Sequence, residues 1–176
     1  TYDGIRNYSP SEFDAGLERT IVIDGFSKGF AMTGWRLGYM LVPKHITPFT
    51  VRVLNLMTSC VSAFVQRGGI AALKGPMEPV HEMVRAYEER RDALTDELSE
   101  IKSVSMVKPQ GAFYGFINVR DVLHEARMNS QEFMSFILEK YNVAVLHGTA
   151  MGSNGEGYIR LSYANSIENI RKGVRI

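Results

Sequence analysis

Lys28 and Arg36 are the residues whose types and spacing point most directly to chemistry. They stand eight positions apart in Gly25-Phe26-Ser27-Lys28-Gly29-Phe30-Ala31-Met32-Thr33-Gly34-Trp35-Arg36-Leu37-Gly38. A lysine forms a Schiff base with a carbonyl carbon once its pKa is lowered, and an arginine forks onto a phosphate or carboxylate. Held together by glycines, the two describe a site for an anionic ligand with an electrophilic carbon. A second arginine, Arg160, lies in the alternating run Gly157-Tyr158-Ile159-Arg160-Leu161-Ser162-Tyr163-Ala164. Ile159, Leu161 and Tyr163 fall on one face of such a strand, and Tyr158, Arg160 and Ser162 on the other. An arginine in mid-strand rarely sits unpaired. It is either half of a structural ion pair or a fork for a carboxylate ligand.

The elements around Lys28 and Arg36 must bring them to one place. Thr20–Asp24 is a short β-branched run that reads as a buried strand, and Tyr39–Val42 is a second, stopped by Pro43. About a dozen residues join them, which is marginal for the helical crossover that parallel strands need. The two strands are therefore expected to be antiparallel neighbours, with Lys28 and Arg36 on one loop at one sheet edge.

The stretch from Gly25 to Gly38 resembles the pyridoxal-phosphate attachment signature of class I/II aminotransferases. That pattern is small–apolar–small–Lys, then Arg eight residues later, then apolar and small, and every slot is filled here. The resemblance, to the fold type I, aspartate aminotransferase-like enzymes, runs from Tyr2 to Ile176 but matches only the carboxyl-terminal half of such an enzyme. It implies an α/β fold: the C-terminal part of the large pyridoxal-phosphate-binding domain, with a mixed sheet, followed by a small α+β domain. It implies that Lys28 is both the catalytic residue and the attachment point of pyridoxal 5'-phosphate, that Arg36 and Ser27 bind the cofactor phosphate, and that Arg160, in a stretch similar to the family's Arg-Leu-Ser, binds the substrate α-carboxylate. The implied substrates are an amino acid and a 2-oxo acid, and the implied assembly is a homodimer of the full-length chain. The aspartate on the cofactor ring nitrogen and the stacking aromatic would lie upstream of Thr1, so these residues alone are expected to be inactive. Gly111-Ala112-Phe113-Tyr114 is similar to a family element near the substrate, where one of Phe113 and Tyr114 could line the pocket, although core packing is the favoured reading. Three departures stand out. Position 25 is Gly where many relatives have a phosphate-binding Ser. In the 147–152 loop, His147 replaces Pro and Met151 replaces Phe, which bears on the local turn and on a substrate-side contact. Lys28 and Arg36 do not separate transamination from a β-elimination on a sulfur amino acid by the same scaffold. A non-enzymatic regulator that binds the cofactor and a degenerate structural homologue are further alternatives. All three sharp residues, Lys28, Arg36 and Arg160, are intact.

The remaining chain reads as scaffold. Residues 1–19 are polar and turn-rich and read as a surface loop with one helical turn near Phe13–Leu17. Helices are expected from His45 to about Ser59, with Val51, Val53, Leu54 and Met57 as its apolar positions, and from Ala63 to Leu73. Pro79 opens the longest helix, with Val80, Met83, Val84, Tyr87, Leu94, Leu98 and Ile101 as its buried stripe and Glu88–Asp92 as a solvated charged face. Strands follow at Ser103–Val107, Phe113–Val119, Val143–Leu146 and Tyr158–Tyr163. Asn129 and Glu132 form a capping box ahead of a helix, and a last helix covers Ile167–Val174. The expected domains are 1–78, a connecting helix 79–102, and 103–176. A first residue other than Met and an abrupt end at Ile176 suggest that both ends are trimmed.

Composition sets outer bounds. With 176 residues, 45% apolar and 22% charged, the chain has the make-up of a globular protein. A net charge of +1 argues against nucleic-acid binding, and no apolar run approaches a membrane span. Cys60 is the one cysteine, expected as a small core residue in a reducing, cytoplasmic setting. His45, His81, His124 and His147 show no metal-ligand spacing, so no metal is expected.

Overall fold

The computed structural model describes residues 1–176, which divide into two compact units: Arg6–His81, and Thr1–Ile5 together with Glu82–Ile176.

In the first unit, Ser9 caps a 3-10 turn, Pro10–Phe13, and Glu12 closes the box back onto the Ser9 N–H. The carboxylate of Asp14 then accepts the N–H groups of Glu18, Arg19 and Thr20, which tightens the chain before it becomes extended. Strand β1 (Val22–Gly25) pairs antiparallel with β2 (Gly38–Leu41), in a register that sets Val22 opposite Leu41 and Gly25 opposite Gly38. The connection between them holds the short helix α1 (Phe26–Gly29) and a 3-10 turn, Thr33–Trp35. Two longer helices follow, α2 (Thr47–Thr58) and α3 (Ala63–Lys74). Glycines in α3 let it lie against the connection. A Cβ at Gly68 would fall 2.4 Å from the Trp35 ring, and one at Gly69 would fall 2.5 Å from Leu37 and 3.3 Å from Phe26.

α2 forms where its period predicts, but its apolar residues Val51, Val53, Leu54 and Met57 stay exposed within this unit, as does Leu56 at 82%. Cys60 follows that exposed stripe, one residue beyond Ser59 with its positive φ, and is itself exposed. The expectation of a core cysteine is not met within this unit: periodicity marks the face of a helix, but it does not supply the layer that covers it.

The second unit is built on an antiparallel sheet of order β3-β4-β6-β5, with β3 Ser105–Met106, β4 Tyr114–Asn118, β5 Leu146–His147 and β6 Tyr158–Ser162. Its helices are α4 (Glu78–Ser99, which enters the unit at Glu82), α5 (Arg120–Ala126), α6 (Ser130–Tyr141) and α7 (Ile167–Arg175). Leu94 and Leu98 of α4, Ile117 and Val119 around β4, Leu123 of α5, Ile159 and Tyr163 around β6, and Ile170 of α7 make one core. The Asn129–Glu132 capping box forms as the sequence predicts. Helix α5 was not legible in the sequence: seven residues give too few turns for a period to show.

Two expectations fail here for one reason. Tyr2, placed by its sequence in a surface loop, is 3% exposed and part of the core. Arg91, read as part of a solvated face, is fully buried. Its guanidinium forks onto Asp3 at 2.6 and 2.9 Å, donates to the Pro109 carbonyl at 3.1 Å, and lies 4.8 Å from the Tyr2 ring centre. Asp3 is 88 residues away in the chain, so the local charge pattern of α4 carries no sign of it. Above this pair the hydroxyls of Tyr2 and Tyr163 both donate to the Ala112 carbonyl, and burial raises the pKa of both phenols.

Candidate active site

Ser27 and Lys28 ride on α1, whose start is pinned by the buried Phe26 ring. The Phe26 N–H donates to the Leu37 carbonyl at 3.1 Å, and the Phe26 carbonyl accepts from Met32 at 3.2 Å, so both ends of the connection are tied to one residue. The Phe26 ring also meets Phe30 and Tyr39, with centroids 5.4 and 5.6 Å away. The Lys28 carbonyl accepts from Ala31 at 3.1 Å. Ala31 and Arg36 both hold left-handed backbone, at φ 53° and 52°. Non-glycine residues rarely adopt that conformation, and such strain collects where surrounding contacts enforce it, often at functional sites.

Arg36 terminates the Thr33–Trp35 turn, and its Nη1 donates to the Thr33 carbonyl at 3.1 Å. No acidic side chain in its unit pairs with it, so its charge and most of its fork of donors face solvent. Lys28 is exposed and Ser27 half-buried. The structure thus brings Ser27, Lys28 and Arg36 onto one connection, closed at its base by the Gly25–Gly38 pair. A Cβ on Gly38 would stand 3.1 Å from the Asp24 carbonyl, which explains a glycine there. A Cβ on Gly25 would make an ordinary 3.6 Å contact with the Leu37 carbonyl.

Arg160 belongs to the other unit, in the middle of β6, opposite Phe116 of β4 and Leu146 of β5. Within that unit no acidic side chain pairs with it. Its guanidinium lies 4.5 Å from the Tyr114 ring centre, and Nη1 reaches the Met151 Sδ at 3.6 Å. The structural ion pair weighed for this arginine is absent. Phe113 stacks on Tyr87 at 5.6 Å and Tyr114 meets Arg160, while the Phe113 and Tyr114 rings touch each other at 4.5 Å. Only the β4–β6 register says which of the two meets the arginine.

The loop between β5 and β6 keeps its turn despite the departure at 147. His147 adopts φ −65° and ψ 142°, the backbone a proline would fix, and its Nδ1 lies 2.6 Å from the Thr149 hydroxyl. Gly148 and Gly155 touch backbone to backbone: a Cβ on either would fall within about 2 Å of the other's carbonyl oxygen. The contact of Met151 with Arg160 depends on how this loop folds, which residue spacing does not show.

The family model for aminotransferase class I and II matches residues 3–176, and the chain belongs to that family. It is 39% identical over 175 residues to aromatic-amino-acid aminotransferase 2 of Thermococcus litoralis, covering 98% of this chain and 44% of that protein. It is 38% identical to an aspartate aminotransferase of Pyrococcus abyssi, again over 98% of this chain and 44% of the relative. Among solved structures, the aromatic aminotransferase from Pyrococcus horikoshii matches with a TM-score of 0.90 at 38% identity, over 99% of this chain and 46% of that one. The aspartate aminotransferase from Rhizobium meliloti matches with a TM-score of 0.90 at 32% identity. The fold is thus the aspartate aminotransferase-like α/β fold, of which the chain supplies part: it spans about 44% of the length of the curated relatives it matches.

Proposed function

We propose that the full-length protein is a pyridoxal 5'-phosphate-dependent aminotransferase that moves an amino group between an L-amino acid and a 2-oxo acid. The observation that carries this reading is the placement of Lys28, Ser27 and Arg36 on one pinned connection, with an arginine whose charge has no acidic partner in its unit. These residues fit the cofactor: an amine for its aldehyde, and a guanidinium fork and a hydroxyl for its phosphate. When bound, the cofactor supplies the delocalised ring that takes up electrons from the substrate α-carbon. Arg36 binds the phosphate through paired N–H groups, and the Ser27 hydroxyl adds a donor. Lys28 holds the cofactor until substrate arrives and then, as a free amine, takes the proton from the substrate α-carbon. Arg160 forks onto the substrate α-carboxylate, with its plane supported by Tyr114.

Relatives carrying both aromatic-amino-acid and aspartate aminotransferase names favour transamination over β-elimination. The test is product analysis with full-length protein. Amino-group transfer to a 2-oxo acid that disappears in Lys28→Ala supports the proposal; ammonia and pyruvate released from a sulfur amino acid would refute it. Residues 1–176 by themselves are expected to give no turnover. We also take the full-length protein to be a homodimer, which light scattering on the purified protein checks. No helix is long and apolar enough to cross a membrane; a cytoplasmic location is part of the proposal.

A further inference from the structure

The second unit holds a cleft of about 720 Å³ beside α5, lined by none of the residues assigned above to cofactor or substrate. Its wall carries Arg120 and His124, one turn apart on α5, and Arg127, the left-handed residue that caps the helix. All three are exposed, and none has an acidic partner within the unit. Arg120 and Arg127 bring two positive charges to one wall of the cleft. Arg120 is also held in place. Its guanidinium lies 4.8 Å from the Tyr158 ring centre, and Tyr158 stacks in turn on Phe116 at 4.8 Å with the rings 7° from parallel. Its stem occupies the space over Gly157, where a Cβ would fall 2.4 Å from the Arg120 Cγ. With φ at +88°, Gly157 is required twice over: by the backbone and by the arginine lying on it.

The carboxylate on the lining, Glu156, has both oxygens engaged. Oε1 accepts the Ser130 N–H at 2.9 Å and Oε2 the Ser130 hydroxyl at 2.8 Å. It anchors the start of α6, so its two oxygens are turned to Ser130 and neither bonds Arg120 or Arg127. Leu123 and Met128 add an apolar floor. We propose that this cleft is a second binding site, for a small molecule bearing a phosphate or diphosphate group. The volume is in the range of small-molecule sites. Planar guanidinium forks match phosphate oxygens in pairs, and the apolar floor takes whatever the phosphate is attached to.

The test uses full-length protein saturated with pyridoxal 5'-phosphate, so that the Arg36 fork is filled. Pyrophosphate and ADP are titrated separately by calorimetry. Both are expected to bind with a salt-dependent affinity that falls at least about tenfold in the double variant Arg120→Gln/Arg127→Asn, as loss of charge-assisted bonds requires. Asn suits position 127 because it tolerates the left-handed backbone found there. His124→Gln, at an exposed position, is the milder second variant and should weaken binding in the same direction. Tighter binding of ADP than pyrophosphate means that the nucleoside uses the floor; equal binding means that the phosphates alone are recognised. Both results support the site. No binding of either compound at millimolar concentration, or equal affinity in the variants, overturns it. Because binding is read directly, the result stands apart from whether the protein transaminates.

Discussion

The guanidinium of Arg160 lies over the Tyr114 ring, 4.5 Å from its centre, with no carboxylate of its own unit beside it. A cation held against a ring spends none of its N–H groups on that contact, and here Nη1 alone is engaged, by the Met151 Sδ. The arrangement holds a fork in readiness for a planar anion. Replacing Tyr114 with Leu keeps apolar bulk and removes the ring. In the full-length enzyme the KM for amino acid should rise several-fold, the range of a cation–π contact of about 0.5–2 kcal/mol, with a smaller change in kcat. Arg160→Lys loses the fork itself and should raise KM further; equal KM values in the two variants would contradict the assigned role.

Arg36 makes a parallel prediction for the cofactor. Arg36→Gln removes a charge-assisted fork and should weaken pyridoxal 5'-phosphate binding by about 1.5–3 kcal/mol, roughly ten- to hundredfold. Equilibrium dialysis of the full-length protein measures it. Unchanged affinity would remove Arg36 from the phosphate site.

Gly25 offers a gain-of-function check. Its backbone is extended, at φ −148°, and a Cβ there would meet the Leu37 carbonyl at an ordinary 3.6 Å. Gly25→Ser should therefore fold with little change in Tm and bind the cofactor more tightly, through one added hydroxyl. The same substitution at Gly38 should destabilise, since a Cβ there stands 3.1 Å from the Asp24 carbonyl.

The Asp3–Arg91 pair predicts a pH dependence. The Arg91 hydrogen bonds hold the Asp3 carboxyl below the usual carboxylate range, and those of Arg175 do the same for Glu97. A carboxyl whose pKa is depressed in the folded state stabilises fully above its unfolded value, about 4, and loses that contribution as pH falls through the folded value. Stability should thus decline with acid from about pH 4 downward. Asp3→Asn should lower Tm at pH 7 and flatten the decline. An unchanged acid slope in the variant would show that the pair carries no linkage.

Leu94, fully buried in the core beside Tyr2 and Ile117, is the stability control. Leu94→Ala should cost about 2–5 kcal/mol, the range for emptying such a site, by denaturant unfolding.

What was legible in the sequence depended on how local the cause was. The β1–β2 pairing followed from two β-branched runs and a connection too short for a crossover. The Asn129–Glu132 box followed from two side chains three residues apart. Lys28 and Arg36 stood out because their spacing is itself the pattern, and Arg160 because a charge in mid-strand needs a reason. These are effects of neighbours in the chain, and composition and period record them.

The tertiary structure decided whatever depended on residues far apart in the chain. Arg91 falls on the apolar stripe of α4, four residues after Tyr87 and three before Leu94, so the helix period turns it inward; only the fold shows that Asp3, Tyr2 and the Pro109 carbonyl converge on it there. Cys60 and the α2 stripe are exposed because burial needs a second layer, which a helix's own period cannot provide. Tyr114, and not Phe113, meets Arg160 because strand register sets which side chains become neighbours. Local sequence thus determined the elements and the reactive types, since hydrogen-bonded turns and alternating faces arise within a few residues. Pairing across the fold determined which charges are satisfied and which are left open for a ligand.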